Sequence, residues 1–321
     1  MVAPDRLRLV SRGSELALLQ SRLVAEALRD RNPELEVRIE TVRTTGDRVT
    51  NVPLARIGDR GLWTRELDDA LLEGRADVAV HSYKDVPTNL PAGLTVAAVT
   101  TRADPRDVLL APRGRSITLD GLSPGARVGT SALRRTAQLR ARRHDLIVAN
   151  LRGNLPTRLA RLDAGDYDAI VLAAAGVLRL GWRERITEYL DPPGWLPAVG
   201  QGALAVVTRS GDERLRERLA LLHDREAGDA TTAERAFLRA LEGGCQVPIA
   251  ALATVEGEER ELHGRVSALD GSAAIDGVER GERADAAGFG ERLAAELLER
   301  GAGELLAAIR AATATVLAPA P

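Results

Sequence analysis

The chain has one cysteine in 321 residues. A single thiol, Cys245, excludes an internal disulfide and any zinc or iron–sulfur site built from several cysteines. The four histidines are scattered and form no metal constellation, so no metal is expected. Aromatic residues make up only 2% of the chain, so its cores must be built from Leu, Val, Ile and Ala. No apolar run approaches the roughly 18 residues of a membrane span. The opening MVAPDRLRLVSRG lacks the apolar stretch of a secretory signal. The formal net charge is -2, so bulk charge gives no support to nucleic-acid binding. The expectation is a cytoplasmic protein with neither a membrane nor a nucleic acid as partner.

Lysine is as rare as cysteine. Lys and Arg number 44, and Lys84 in HSYKDVP is the only lysine. Every other basic position is a guanidinium, so something at position 84 favours a narrow ammonium on a flexible stem.

What is present reads as globular. The chain is 45% hydrophobic and 28% charged, and long enough for two or three domains. RLRLVS (6–11), EVRIETVRT (36–44) and ADVAVHSY (76–83) read as strands. SELALLQSRLVAEALRD (14–30), with Ser14 as N-cap, and LWTRELDDALLEGR (62–75) read as helices. The alternation predicts an α/β domain with a mainly parallel sheet. A second series follows: DVLLAP, RVGTS, DLIVANLR and DAIVLAAAG as strands, with helices ALRRTAQLRARR and PTRLARLDAG. DPPGWLPAVGQG (191–202) breaks the pattern, and ALAVVTR (203–209) reads as a strand returning to the first domain. In the third region, ATTAERAFLRALEGG carries a capping-box pattern at Thr231 and Glu234. Three strand-like runs and a long helix, GFGERLAAELLERGAGELLAAIRAA, complete a small α+β domain. The expected domains are 1–103 with 201–222, 104–200, and 223–321, the first two forming two lobes and a cleft.

Ligands of such sheets bind beyond the carboxyl ends of the strands. Arg12 and Ser14 follow the first strand, and Lys84 and Asp85 follow HS. Thr130, Ser131, Arg134 and Arg135 come with RVGTS, at a helix N-terminus. Arg152 follows DLIVAN, Arg158 lies on the next helix, and Arg179 comes after DAIVLAAAG. Guanidinium forks suit carboxylate or phosphate, so the set points to a polyanionic ligand, against the bland reading of solvated surface arginine. Asp85 suits general acid–base work or stabilisation of a developing cation, and equally a turn before Val86-Pro87. Lys84 suits an imine nucleophile or an anion anchor. Cys245, in the Gly-rich EGGCQVP, is either a small buried hydrophobe or a presented thiol, a nucleophile or covalent attachment point. NVPLARIGDRG (51–61), with Arg56 and Arg60, reads as a lid loop.

Eight motifs in order, SRGSELAL, RTTGD, HSYKDVP, VGTSALRR, LRGNLPTRL, AAAGVLRLG, LPAVGQGAL and LEGGCQVPIA, resemble the hydroxymethylbilane synthase (porphobilinogen deaminase) family over nearly the whole chain. The resemblance implies two periplasmic-binding-protein-like α/β lobes plus a smaller α+β C-terminal domain. It implies a transferase that joins four porphobilinogen molecules head to tail, releasing ammonia, and then frees the linear tetrapyrrole hydroxymethylbilane by hydrolysis, a step of heme biosynthesis. It implies a covalent dipyrromethane cofactor, thioether-linked to Cys245, with Asp85 as the catalytic carboxylate. Lys84, Thr130, Ser131, Arg134 and Arg135 fall on cofactor contacts, and Arg12, Ser14, Arg152, Arg158 and Arg179 on substrate contacts. A monomer is implied in the same way.

Four positions depart from the family pattern. Ala132 stands where a second serine is common, the lid residues Arg56 and Arg60 where lysines are, Trp63, also assigned to the lid, where phenylalanine is frequent, and Tyr83 where methionine is. Two rival readings compete. A two-lobed anion-binding module without catalysis would share the arginines but leave Cys245 unexplained. A Lys84 imine enzyme would leave the motif series unexplained.

Overall fold

Strand β1 (Arg6–Arg12) sends alternate side chains into two cores: Leu7 and Leu9 face one, Val10 the other. A computed structural model describes residues 6–48, 63–241, 247–257, 259–282 and 285–317. Helix α1 (Glu15–Arg31) starts where Ser14, in extended backbone, accepts the Ala17 amide at 3.4 Å. β2 (Glu36–Val42) pairs parallel with β1. The short α2 (Thr45–Arg48) and α3 (Arg65–Leu72) lead to β3 (Val78–Ser82), parallel to β1 on its other side, and then β4 (Leu94–Val99). The fourth place in the sheet is taken by β10 (Leu204–Arg209), antiparallel to both β3 and β4, in the order β2-β1-β3-β10-β4.

A second sheet repeats this plan. β5 (Asp107–Leu110), β6 (Arg127–Gly129), β7 (Ile147–Ala149), β8 (Ala169–Ala173) and β9 (Ile186–Leu190) lie in the order β7-β6-β8-β5-β9. β6 is parallel to β7 and β8, while β5 is antiparallel to β8 and β9. Helices α4 (Leu133–Arg142), α5 (Leu155–Asp163) and α6 (Ala174–Arg179) connect these strands. Val108 and Leu110 face one core and Leu109 the other, so this sheet too is buried on both sides.

Both sheets are therefore mixed, where the sequence alternation predicts mainly parallel ones. In each, the reversed strand arrives by an extended connection, β4 to β5 or β9 to β10. No crossover helix intervenes, so nothing forces a parallel entry. β4, β9 and α7 (Glu213–Ala220) are elements the sequence reading passes over. The return of 203–209 to the first sheet is as expected.

The third sheet is an antiparallel meander of β11 (Ile249–Glu256), β12 (Glu259–Ser267) and β13 (Ala274–Glu282). It is covered by α8 (Arg225–Ala240), α9 (Ala286–Leu297) and α10 (Gly303–Leu317). A Cβ at Gly264 of β12 would lie 2.6 Å from the Phe237 ring, so glycine there lets α8 approach the sheet. Phe237 is fully buried, and its truncation to Ala would cost about 3–5 kcal/mol. The single long helix expected at the C-terminus is broken at Gly301, whose φ of 96° sits in the left-handed region.

A third sequence expectation is overturned. Thr231 and Glu234 are not a capping box, because α8 begins six residues before Thr231, at Arg225, where Asp224 accepts the Ala227 amide at 2.9 Å. Glu234 lies mid-helix, fully buried, and its carboxylate accepts the amides of Gly200 at 2.7 Å and Ala253 at 2.8 Å.

The described elements fall into two compact units divided within α8, after Gly228. One unit holds the first sheet. The other holds the second and third sheets together. Among the described residues no helix is long and apolar enough to cross a membrane.

Candidate active site

In the first unit, β1 and β3 lie side by side, and the chain leaves them in opposite directions across the sheet, to β2 and to β4. That is the switch point at which open α/β sheets bind ligands. Arg12 is the last residue of β1, and Ser14 follows as the cap of α1. Tyr83–Asp85 form a single 3-10 turn after β3, fixed by the Tyr83 amide on the Ala203 carbonyl at 3.0 Å. The turn leaves Lys84 and Asp85 half-buried at the same sheet edge as Arg12. Gln20 of α1 donates to the Ser82 hydroxyl at 3.0 Å, tying helix to turn. Arg12 stacks on Trp63, 4.2 Å from the ring centroid. A Cβ at Gly46 would lie 2.3 Å from that ring, which accounts for the glycine of RTTGD. His81 is buried beneath this edge. Burial first, and the Arg12 charge second, push its imidazole down to about 4, so it is neutral at physiological pH.

In the second unit the equivalent switch point lies between β6 and β8. Thr130 is buried at the end of β6, donating its amide to Ala149 at 2.9 Å, and its hydroxyl accepts the Ala132 amide at 3.3 Å. Ser131 is half-buried beside it. Helix α4 begins at Ala132, which offers no side-chain cap, in contrast to Ser14 on α1 and Asn154 on α5. Its first-turn amides therefore take no acceptor from an N-cap side chain. Arg152, after β7, is buried, and burial lowers its pKa. Gly153 (φ 107°) turns the chain under Thr157, and Arg158 donates Nε to the Gly153 carbonyl at 2.7 Å. Arg179 closes α6, and burial lowers its guanidinium to about 10.

Arg134 and Arg135 are both buried and both grip Asp107. Arg134 Nη1 lies 2.7 Å from Oδ2 and also donates to the Leu196 carbonyl at 2.7 Å. Arg135 Nη2 lies 2.8 Å from Oδ1, and its Nη1 is 3.1 Å from the Val171 carbonyl. Burial alone would raise the Asp107 carboxyl. The two guanidiniums override it and hold the group well below the carboxylate range. Sequence reasoning missed Asp107. The available signal was an acid heading the fully apolar run VLL, a place where a carboxylate is kept only if it is paired.

The arrangement can bind a molecule with several carboxylates. Two arginines against one aspartate leave an excess positive charge. Arg135 Nε is a buried donor without a hydrogen-bond partner among the described residues. Burial disfavours the charged forms of Arg152 and Arg179, and a bound anion would favour them. Cys245, Arg56 and Arg60 lie outside the described residues. Among the described residues no group of His, Cys, Asp or Glu is placed to hold a metal ion.

The sequence comparisons agree with this chemistry. Residues 7–217 match the family described as porphobilinogen deaminase, dipyromethane cofactor binding domain, and residues 229–299 match the porphobilinogen deaminase C-terminal domain. The porphobilinogen deaminase of Roseiflexus castenholzii is 50% identical over 303 residues, covering 94% of this chain and 99% of that protein. That of Moorella thermoacetica is 50% identical over 305 residues, covering 95% and 97%. Among solved structures, the periplasmic VFT2 domain of Bordetella pertussis BvgS aligns at 18% identity over 67% of this chain and 85% of its own, with a TM-score of 0.41. At that score the lobe architecture rests on the two strand orders and not on the likeness. Matched along its length by both parts of the family and by relatives at half identity, the chain belongs to the porphobilinogen deaminase family.

Proposed function

We propose that this protein polymerises four porphobilinogen molecules head to tail into hydroxymethylbilane, with release of ammonia, and that Asp85 is its catalytic carboxylate. The observation that carries the assignment is the half-buried 3-10 turn at the β1/β3 switch point, which holds Asp85 at the sheet edge where Arg12 ends β1. The Asp85 carboxylate stabilises the positive charge that develops on the pyrrole as ammonia leaves. Arg12 supplies a cation for substrate carboxylates, and Ser14 a hydroxyl. Trp63 holds Arg12 by stacking.

Thr130, Ser131, Arg134, Arg135 and Lys84 are assigned to the dipyrromethane cofactor, with Cys245 as its thioether anchor. The buried Arg135 Nε and the excess charge over Asp107 support a group bearing several carboxylates. When bound, dipyrromethane supplies the primer on which the product is built. Arg152, Arg158 and Arg179 are assigned to acetate and propionate groups of the substrate, each placed beyond a strand of one sheet. Arg56 and Arg60 are assigned to a lid.

The functional domains are assigned as 1–103 with 201–222, 104–200, and 223–321, a reading supported by one sheet in each. We propose a cytoplasmic monomer that needs neither nucleic acid nor membrane. The test is to incubate the purified protein with porphobilinogen, following ammonia release and the linear tetrapyrrole. Consumption with the stoichiometry of four supports the reading. Tight binding of porphobilinogen without consumption would favour the anion-binding module instead.

A further inference from the structure

We infer that Asp107 is a positioning residue: its one carboxylate aims the Arg134–Arg135 pair at the cofactor and keys that pair to the domain that carries Cys245. The inference rests on the proposed reading of the two arginines as cofactor ligands.

Asp107 opens β5, in register with Ala173, and so sits at the edge where β8 ends. It is completely buried, and four donors fill its two oxygens. Oδ1 accepts from Arg135 Nη2 at 2.8 Å and Gln201 Nε2 at 2.9 Å. Oδ2 accepts from Arg134 Nη1 at 2.7 Å and Trp195 Nε1 at 2.8 Å. A carboxylate has about four acceptor sites, so this one has no capacity left for a ligand or a proton. Its role is geometric. A guanidinium is planar and rigid, so fixing Arg135 Nη2 on Asp107 and Nη1 on Val171 fixes the plane and hence the direction of the open Nε donor.

The same carboxylate ties this geometry to the third sheet. Gln201 adjoins Gly200, whose amide is held by Glu234 of α8. That helix ends at Ala240, shortly before Cys245 in sequence. Leu196, in the same segment as Trp195, packs against Ala250 and Leu252 of β11 and accepts from Arg134. One stretch of chain, 195–201, therefore touches the arginine pair, its aspartate, and the helix leading to the thiol.

The test uses cofactor-free full-length protein given porphobilinogen, with cofactor uptake followed by intact mass. Asp107→Asn keeps the shape but loses the charge and two acceptor sites. It is expected to slow uptake by about tenfold or more. Asp163→Asn, which breaks the Arg185 ion pair in the same lobe, serves as the control for stability and is expected to load like the unmodified protein. Because Asp107 acts through both arginines, Asp107→Asn added to a variant carrying Arg134→Gln and Arg135→Gln should slow uptake no further than that variant alone. Equal loading by Asp107→Asn and the control overturns the inference, as do faster loading or multiplicative losses when Asp107→Asn is added to the arginine variant. If Asp107→Asn does not fold, Trp195→Phe decides, since it removes one donor and keeps the bulk. Slower uptake supports the inference, and unchanged uptake overturns it. Failure of the unmodified protein to gain any cofactor mass overturns instead the reading of the site on which the inference stands.

Discussion

Glu234 Oε2 accepts the Gly200 amide at 2.7 Å, across 34 residues of sequence. The other carboxylate oxygen takes the Ala253 amide. One buried side chain thus holds the end of the 191–202 connection and the middle of β11 together. Glu234→Gln keeps only one acceptor oxygen and sets an NH2 group against the second amide. A loss of about 2–4 kcal/mol is expected. Urea unfolding checks it: the midpoint should fall with the slope unchanged.

Two buried titratable groups in the first unit oppose each other as pH changes. Burial lowers His81 from 6.5 to about 4, so the unfolded chain binds its proton more readily. Stability from this residue is full above about pH 6.5 and is lost as pH falls toward 4, by on the order of 3 kcal/mol. Burial raises Asp68 from 3.8 to about 6, with Asp69 adding to it, so the folded chain holds that proton more readily. Its contribution is full below about pH 3.8 and is lost as pH rises through 6, by a similar amount. Asp68→Asn should therefore stabilise at about pH 8 and do little at about pH 4. His81→Gln should flatten the acid side. Unfolding curves across that range measure both.

Asp85→Asn is expected to lower kcat by about 100- to 10,000-fold with the melting temperature unchanged. A turn residue with no chemical role would behave in the opposite way, losing stability and keeping turnover. Single-turnover ammonia release together with a thermal melt separates the two.

Lys84→Arg keeps the charge but replaces a narrow head with a planar fork beside Asp85. Turnover is expected to fall by about 10- to 100-fold, through misplacement and not through lost charge. Steady-state kinetics check it, and unchanged kcat and KM would leave the lone lysine without a catalytic explanation.

Sequence periodicity located β1, β3 and α1 within a few residues because each is a local pattern with a clear cap or apolar face. The arginines proposed to bind the anion were legible by position: most follow a strand, and Arg158 lies on the helix after one. Tertiary partners were not. Thr231 and Glu234 have the spacing of a capping box, and only the contacts of Glu234 with Gly200 and Ala253 show that the helix runs through them. The break between β8 and α6 falls inside the run of three alanines 173–175, which favours neither a strand end nor a helix start strongly. Arg134 and Arg135 were readable as cations, but their shared aspartate lies 27 and 28 residues away.

The most direct test of the account is the intact mass of the denatured, freshly purified protein beside a Cys245→Ser variant. The account expects a mass excess of two linked pyrrole units on the first and none on the second. An unmodified mass in both, persisting after addition of porphobilinogen, or an excess that survives the substitution, would contradict it.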